Sequence, residues 1–181
     1  MGRAILGGMT SRVAAAKQAG YVVRDATPAD ADGIGAVHVG AWRETYPGMI
    51  AQEVIDSLDE RARAARWREW LEQPGSPLRV VVGVDPGGTI VGMLCLGPNR
   101  DDDSPAEQEV WAVNVLDSAK GTGLADALLD EAVGPDPASM WVLQENRRAR
   151  AFYARHGFAP DGRSIYDERL QATQVRLVRG R

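Results

Sequence analysis

The chain has 181 residues, 44% of them hydrophobic and 25% charged, with a formal net charge of -4. That balance suits one ordinary globular domain and speaks against a disordered chain, a membrane span or general affinity for nucleic acid. A single cysteine, Cys95, and two histidines allow no internal disulfide and no metal-ligand cluster, so no metal is expected and a reducing, cytoplasmic setting fits.

Residues 1–20 do not join the pattern that follows. Gly7 and Gly8 cut the apolar run of a signal peptide too early, so the segment reads as a flexible or weakly helical extension. Residues 21–181 are then a single domain. Tyr21–Arg24 is a short β-prone run, and Thr27-Pro28-Ala29-Asp30 is a helix start with Thr27 as N-cap and Pro28 at the first helical position. Ile34, Val37, Ala41 and Trp42 make one apolar face, and His38 on the same stripe reads as a core-edge histidine before a catalyst. Pro47 and Gly48 stop this helix.

Gln52 to Gln73 is helical, in two pieces with Ser57 or Asp59 capping the second. Its alternating arginines and glutamates suit a solvated face, with Trp67, Trp70 and Leu71 turned inward. Leu78–Val84 and Thr89–Gly97 are strands joined by the turn Asp85-Pro86-Gly87-Gly88, and Cys95 reads as a buried, inert thiol. The loop Pro98–Pro105, with Asp101, Asp102 and Asp103, is expected to be solvated and mobile. Those aspartates lack calcium-loop spacing.

The central stretch, Glu109 to Val133, runs from a strand through Lys120-Gly121-Thr122-Gly123-Leu124-Ala125 into an amphipathic helix. Glycines there let the backbone approach a phosphate, at a helix end whose first N–H groups lack intrahelical partners. Leu124, Leu128 and Ala132 recur at every fourth residue, while Asp126, Asp130 and Glu131 are expected to point away from the core. A Rossmann fingerprint fits poorly, because its third small position would be Asp126. A P-loop fails on glycine spacing and the missing Lys-Ser/Thr. An ordinary glycine-rich turn stays open on these residues alone. Beyond it, Ser139–Leu143 is a strand, Asn146 sits where an N-cap would, and Gly157-Phe158 ends a helix in Schellman fashion. Strands from Phe158 and over Gln174–Val178 complete a mixed α/β domain around a twisted, largely antiparallel sheet.

Val115, Asp117, Lys120, Gly121, Gly123, Ala125, Leu128 and Leu129 together resemble the acetyl-CoA motif of the GNAT-type N-acetyltransferases. About twenty residues on, Asn146, Ala149, Phe152, Tyr153, Gly157 and Phe158 are similar to the family's second motif. The departures are Asp117 for a frequent proline, Lys120 for glutamine or arginine, and Ala125 for glycine. The resemblance extends from about Tyr21 to the C-terminus. It implies a GNAT-like fold with acetyl-CoA as co-substrate, its pyrophosphate held by Lys120, Gly121, Thr122, Gly123, Leu124 and Ala125. The pantetheine arm would lie along Val113 and Val115, with Asn146 beside it. Tyr153 would protonate the departing thiolate, and Glu109 would serve as base through water, with His38 and Asp117 as weaker candidates. Trp42 and Tyr46 would wall the pocket of a small-molecule or peptide amine, and a homodimer is one option for assembly. The resemblance leaves two functions open, an N-acetyltransferase and a non-catalytic acyl-CoA-binding module.

Overall fold

A computed structural model describes residues 11–180. Helix α1 covers 11–18, followed by β1 (Val22–Asp25), α2 (Ala31–Thr45), α3 (Gln52–Asp56) and α4 (Glu60–Glu72). Then come β2 (Arg79–Val84), β3 (Ile90–Pro98), β4 (Gln108–Val115), α5 (Leu124–Val133), β5 (Ala138–Leu143), α6 (Arg147–Arg155), β6 (Ala159–Asp167) and β7 (Ala172–Arg179). Local chemistry sets the boundaries. Asp59 caps α4 by accepting from the Ala62 N–H at 2.6 Å. At the end of α6 the Phe158 N–H reaches the Tyr153 carbonyl at 3.1 Å over Gly157, whose φ is 82°. That is the Schellman ending expected from Gly157-Phe158, and Phe158 is buried behind it.

The strands form one seven-stranded sheet in the order β1-β2-β3-β4-β5-β7-β6. Every neighbouring pair is antiparallel except β4 and β5. Both faces are covered, which is why β2 and β3 read as unbroken apolar runs. Val81, Leu94 and Leu96 face α5, against Leu124, Leu128 and Leu129. Val80, Val82, Met93 and Cys95 alternate to the other face and meet Ile34 and Val37 of α2 and Trp67 of α4. Burial pushes the Cys95 thiol up to about 12, so it stays protonated and unreactive. A smaller cluster of Ile50, Ile55, Leu143 and Leu170 packs against Trp42 and Tyr46. This is the mixed α/β, mostly antiparallel architecture read from the sequence.

Two expectations need correction. The stretch 11–20 does not stand apart from the domain: α1 packs on it, and Ala16 is buried at 1% exposure. Small residues let its backbone seat closely, a contact that apolar periodicity does not advertise. Residues 1–10 lie outside the described residues. The aspartate loop is not simply solvated either. Arg176 of β7, only 3% exposed at its side chain, holds Asp103 at 2.6 Å, Asp161 at 2.6 Å and Asp101 at 3.2 Å. Asp101 also accepts from the Trp141 indole at 2.9 Å, and Asn99 bonds Ser139 across the loop at 2.7 Å. A buried guanidinium must be paired, so the loop is pinned by the cation beneath it.

Candidate active site

The site begins where the sheet opens. β4 and β5 pair at only one position, Glu109 with Ser139, and then diverge. The cause is on the other side of β4, where the register against β3 shifts from Cys95–Ala112 to Leu96–Val110 and leaves Trp111 as the extra residue. Such a bulge bends its strand and sharpens the local twist. Beyond it the edges of β4 and β5 that face each other carry unpaired backbone groups, and a cleft of about 790 Å³ lies between them.

The glycine-rich turn forms one end of that cleft. Leu124 anchors it from below, filling a notch made by Gly83 and Gly92, which sit opposite each other on β2 and β3. A Cβ on Gly83 would lie 2.6 Å from Leu124 Cδ1, so the turn is seated by glycines elsewhere in the chain. Gly121 and Gly123 take φ of 85° and 91°, values costly for any residue with a side chain. Thr122 accepts from the Leu124 N–H through its hydroxyl at 3.3 Å. The N–H groups of Gly121, Gly123, Ala125 and Asp126 find no acceptor among the described residues. Free donors grouped at a helix start, Ala125 and Asp126 adjacent to each other, form a concavity suited to an anion.

Cations line the cleft that this concavity opens on. Arg12, Lys120, Arg148 and Arg155 all line the cleft. The Lys120 ammonium is partly spent, on the Asp117 carboxylate and on the Thr45 hydroxyl at 3.2 Å. Arg12, Arg148 and Arg155 have no carboxylate partner among the described residues. Asp126 also lines the cleft. Contrary to the expectation from the helix pattern it is buried, its carboxylate 3.1 Å from His156 Nε2. The pair ties the first turn of α5 to the last of α6, which explains the inward turn of that acid.

At the other end α2 presents His38, Trp42 and Tyr46, four residues apart and so on one stripe. His38 stacks on Trp42 with ring centroids 5.5 Å apart, and Trp42 meets Tyr46 edge-on at 5.0 Å. His38 is buried with neither ring nitrogen hydrogen-bonded among the described residues. Desolvation, helped by the charge of Arg63, pushes its pKa down to about 3. Tyr153 of α6 also lines the cleft. Burial, with the nearby Tyr46 phenol, raises its pKa well above the ordinary tyrosine value, so the hydroxyl keeps its proton. No hydrogen-bond partner for that hydroxyl occurs among the described residues.

Of the residues singled out in the sequence, Trp42, Tyr46, Val113, Val115, Lys120, Gly121, Gly123, Ala125, Asn146 and Tyr153 all line this one cleft. Asn146 is also the N-cap of α6, accepting from the Ala149 N–H at 3.0 Å. Thr122 and Leu124 are not on its walls; Leu124 is a core residue with no exposure. Glu109 must be corrected. It is fully buried and off the cleft, and both carboxylate oxygens accept from Arg100, including the Arg100 N–H at 3.1 Å and Nε at 3.0 Å. Its carboxylate is engaged by Arg100, which stands between it and the cleft wall, so the geometry gives it no direct contact with the cleft. The family resemblance that suggested Glu109 carries no information on Arg100, which reaches it from the loop after β3. Arg12, Asn114, Arg148, Arg155 and the Asp126–His156 pair were missed. For Arg148 and Arg155 the seven-residue spacing on α6 was a usable signal.

Comparison with known proteins agrees with this architecture. The profile of the acetyltransferase (GNAT) family matches residues 41–158. A protein of Mycobacterium bovis named as an uncharacterised N-acetyltransferase is 33% identical over 144 residues, covering 74% of this chain and 85% of the relative. A counterpart in Bacillus subtilis, also named an uncharacterised N-acetyltransferase, is 28% identical over 161 residues, covering 86% and 87%. Among solved structures, the PaiA N-acetyltransferase of Thermoplasma acidophilum in complex with coenzyme A superposes with a TM-score of 0.69 at 16% identity, covering 86% of this chain and 97% of that one. The chain belongs to the acetyltransferase (GNAT) family.

Proposed function

We propose that the protein is an N-acetyltransferase that moves an acetyl group from acetyl-CoA to a primary amine by direct attack, with both substrates in the cleft together. The observation that carries this reading is the set of free N–H groups at Gly121, Gly123, Ala125 and Asp126, opening on a cleft that continues past Tyr153 to an aromatic wall. A pyrophosphate fits that concavity in charge and in donor number. The relative solved with coenzyme A supports the choice of ligand. When bound, acetyl-CoA supplies an activated thioester.

The chain's own contributions follow from its placement of groups. The parted edges of β4 and β5 offer backbone donors and acceptors to an extended arm, with Val113, Val115 and Asn146 along it. Donors aimed at a developing oxyanion from a rigid strand need no reorganisation. Tyr153 holds a proton in the cleft and can give it to a leaving thiolate. Trp42 and Tyr46 exclude water beside the acceptor and accommodate a small-molecule or peptide amine. Release of free thiol from acetyl-CoA, followed against polyamines, aminoglycosides, amino acids and peptides, tests the reading. Turnover with at least one amine class is expected. Tight coenzyme A binding without turnover on any of them would instead make this a binding module.

A further inference from the structure

α1 lies outside the stretch matched by the family profile, which begins at residue 41, yet it sits directly on the glycine-rich turn. A Cβ added to Gly123 would fall on the Arg12 carbonyl and come within 3.5 Å of the Ala16 N–H. Gly123 therefore serves two surfaces: one side of it leaves its N–H free, and the other lets a helix backbone touch it. The far end of α1 is fixed independently. The Gly20 N–H bonds the Lys17 carbonyl at 3.0 Å and the Tyr21 N–H bonds the Ala16 carbonyl at 3.1 Å, with Gly20 at a φ of 83°. Ala16 is sealed against the domain. This geometry makes Arg12 part of the cleft wall at the glycine-rich turn, with no carboxylate partner among the described residues.

We propose that Arg12 is a phosphate-binding residue of the coenzyme cleft, and that docking of α1 on the turn and binding of coenzyme A stabilise each other. The proposal rests on the reading of the cleft as a coenzyme A site. The backbone donors of the turn take phosphate oxygens on one side, and a guanidinium fork is shaped to take oxygens from another. The helical stretch described, 11–18, is too short to be stable by itself, so its order depends on what it packs against. A ligand that bridges Arg12 and the turn adds to that packing. By linkage, whatever coenzyme A gains from docked α1, α1 gains from coenzyme A.

Calorimetric titration of coenzyme A into the full chain tests this with Arg12→Gln, Arg12→Lys and Ala16→Glu. Arg12→Gln should weaken binding roughly three- to fivefold at low ionic strength, the range of an exposed charge pair, and less in high salt. Arg12→Lys should recover part of the loss, since it keeps the charge and loses the fork. Ala16→Glu undocks α1 and should weaken binding at least as much as Arg12→Gln. Hydrogen exchange of the amides over 13–20 should slow when coenzyme A is added to the parent. Repeating the titration with the 3′-dephospho form shows which phosphate Arg12 holds. Parent-like affinity in Arg12→Gln, or exchange over 13–20 that ignores the ligand, overturns the proposal while leaving the cofactor reading intact. A parent chain that binds no coenzyme A overturns both.

Discussion

At the scale of single residues, Tyr153 and His38 show how burial assigns opposite tasks to two titratable groups in one cleft. Desolvation keeps Tyr153 protonated, hence a donor, across the working range of pH. Tyr153→Phe keeps the ring and its packing, so coenzyme A affinity and Tm should stay near parent values. The single-turnover acetylation rate should fall by roughly 10²–10⁴-fold. An unchanged rate would return Tyr153 to a packing role. His38 is held neutral, its pKa near 3 against an ordinary 6.5. Between those values the unfolded chain binds a proton that the folded chain refuses, so this group makes stability rise with pH through that window and level off above it. Acidifying from pH 7 to pH 5 should then cost the parent about 2 kcal/mol more than it costs His38→Phe, measured by urea unfolding. Equal losses would mean that His38 finds a partner or a proton in the folded state. The sequence placed His38 on the right stripe, and could not show that both ring nitrogens end without partners. The same holds for Glu109: its position in the chain was legible, but the Arg100 side chain that closes over it comes from a loop.

At the scale of elements, the turn is held in place by contacts made far away in sequence. Leu124 fits between Gly83 and Gly92, so Gly83→Ala should cost about 1–3 kcal/mol by overpacking. It should also weaken coenzyme A binding, by lifting the turn. Gly121→Ala is the contrasting case, because its Cβ would meet nothing within 4 Å. Its cost is backbone strain alone, about 1 kcal/mol, and α1 should stay docked. Chemical unfolding and calorimetry on the two variants separate these effects. The aspartate loop depends on one cation in the same way. Arg176→Met leaves Asp101, Asp103 and Asp161 facing one another, and should lower Tm by roughly 6–12 °C and speed exchange over 98–105. Helix and strand order was readable because periodicity and turn chemistry agree along most of the chain. The loop's anchoring was not, since three aspartates look solvated until a cation from β7 is brought beneath them.

At the scale of the whole molecule, the family resemblance was carried by two motifs that the fold brings to opposite walls of one cleft. The acceptor end was far less legible, because Trp42 and Tyr46 on α2 and the β6–β7 pair converge only in three dimensions. No helix among the described residues is long and apolar enough to cross a membrane. The parting of β4 from β5 has a consequence for the energetics of the resting molecule. The sheet is in effect two leaves, β1 to β4 and β5 to β7, joined along their facing edges by the single rung Glu109–Ser139. Each leaf has its own ladders, that of β6 and β7 interrupted between Pro160 and Ser164, and α5 packs on the leaf of β1 to β4. Cooperativity between leaves then rests on packing, with little from the backbone. Without ligand, amides of β5 and β7 should exchange faster than those of β2 and β3. An extended arm laid between the leaves acts as the missing strand, so coenzyme A should bring the two exchange rates together. The open seam spares the molecule one hazard as well. Unlike the outer edges of β1 and β6, these inner edges line a cleft, so a neighbouring protein's strand would have to enter it to pair with them.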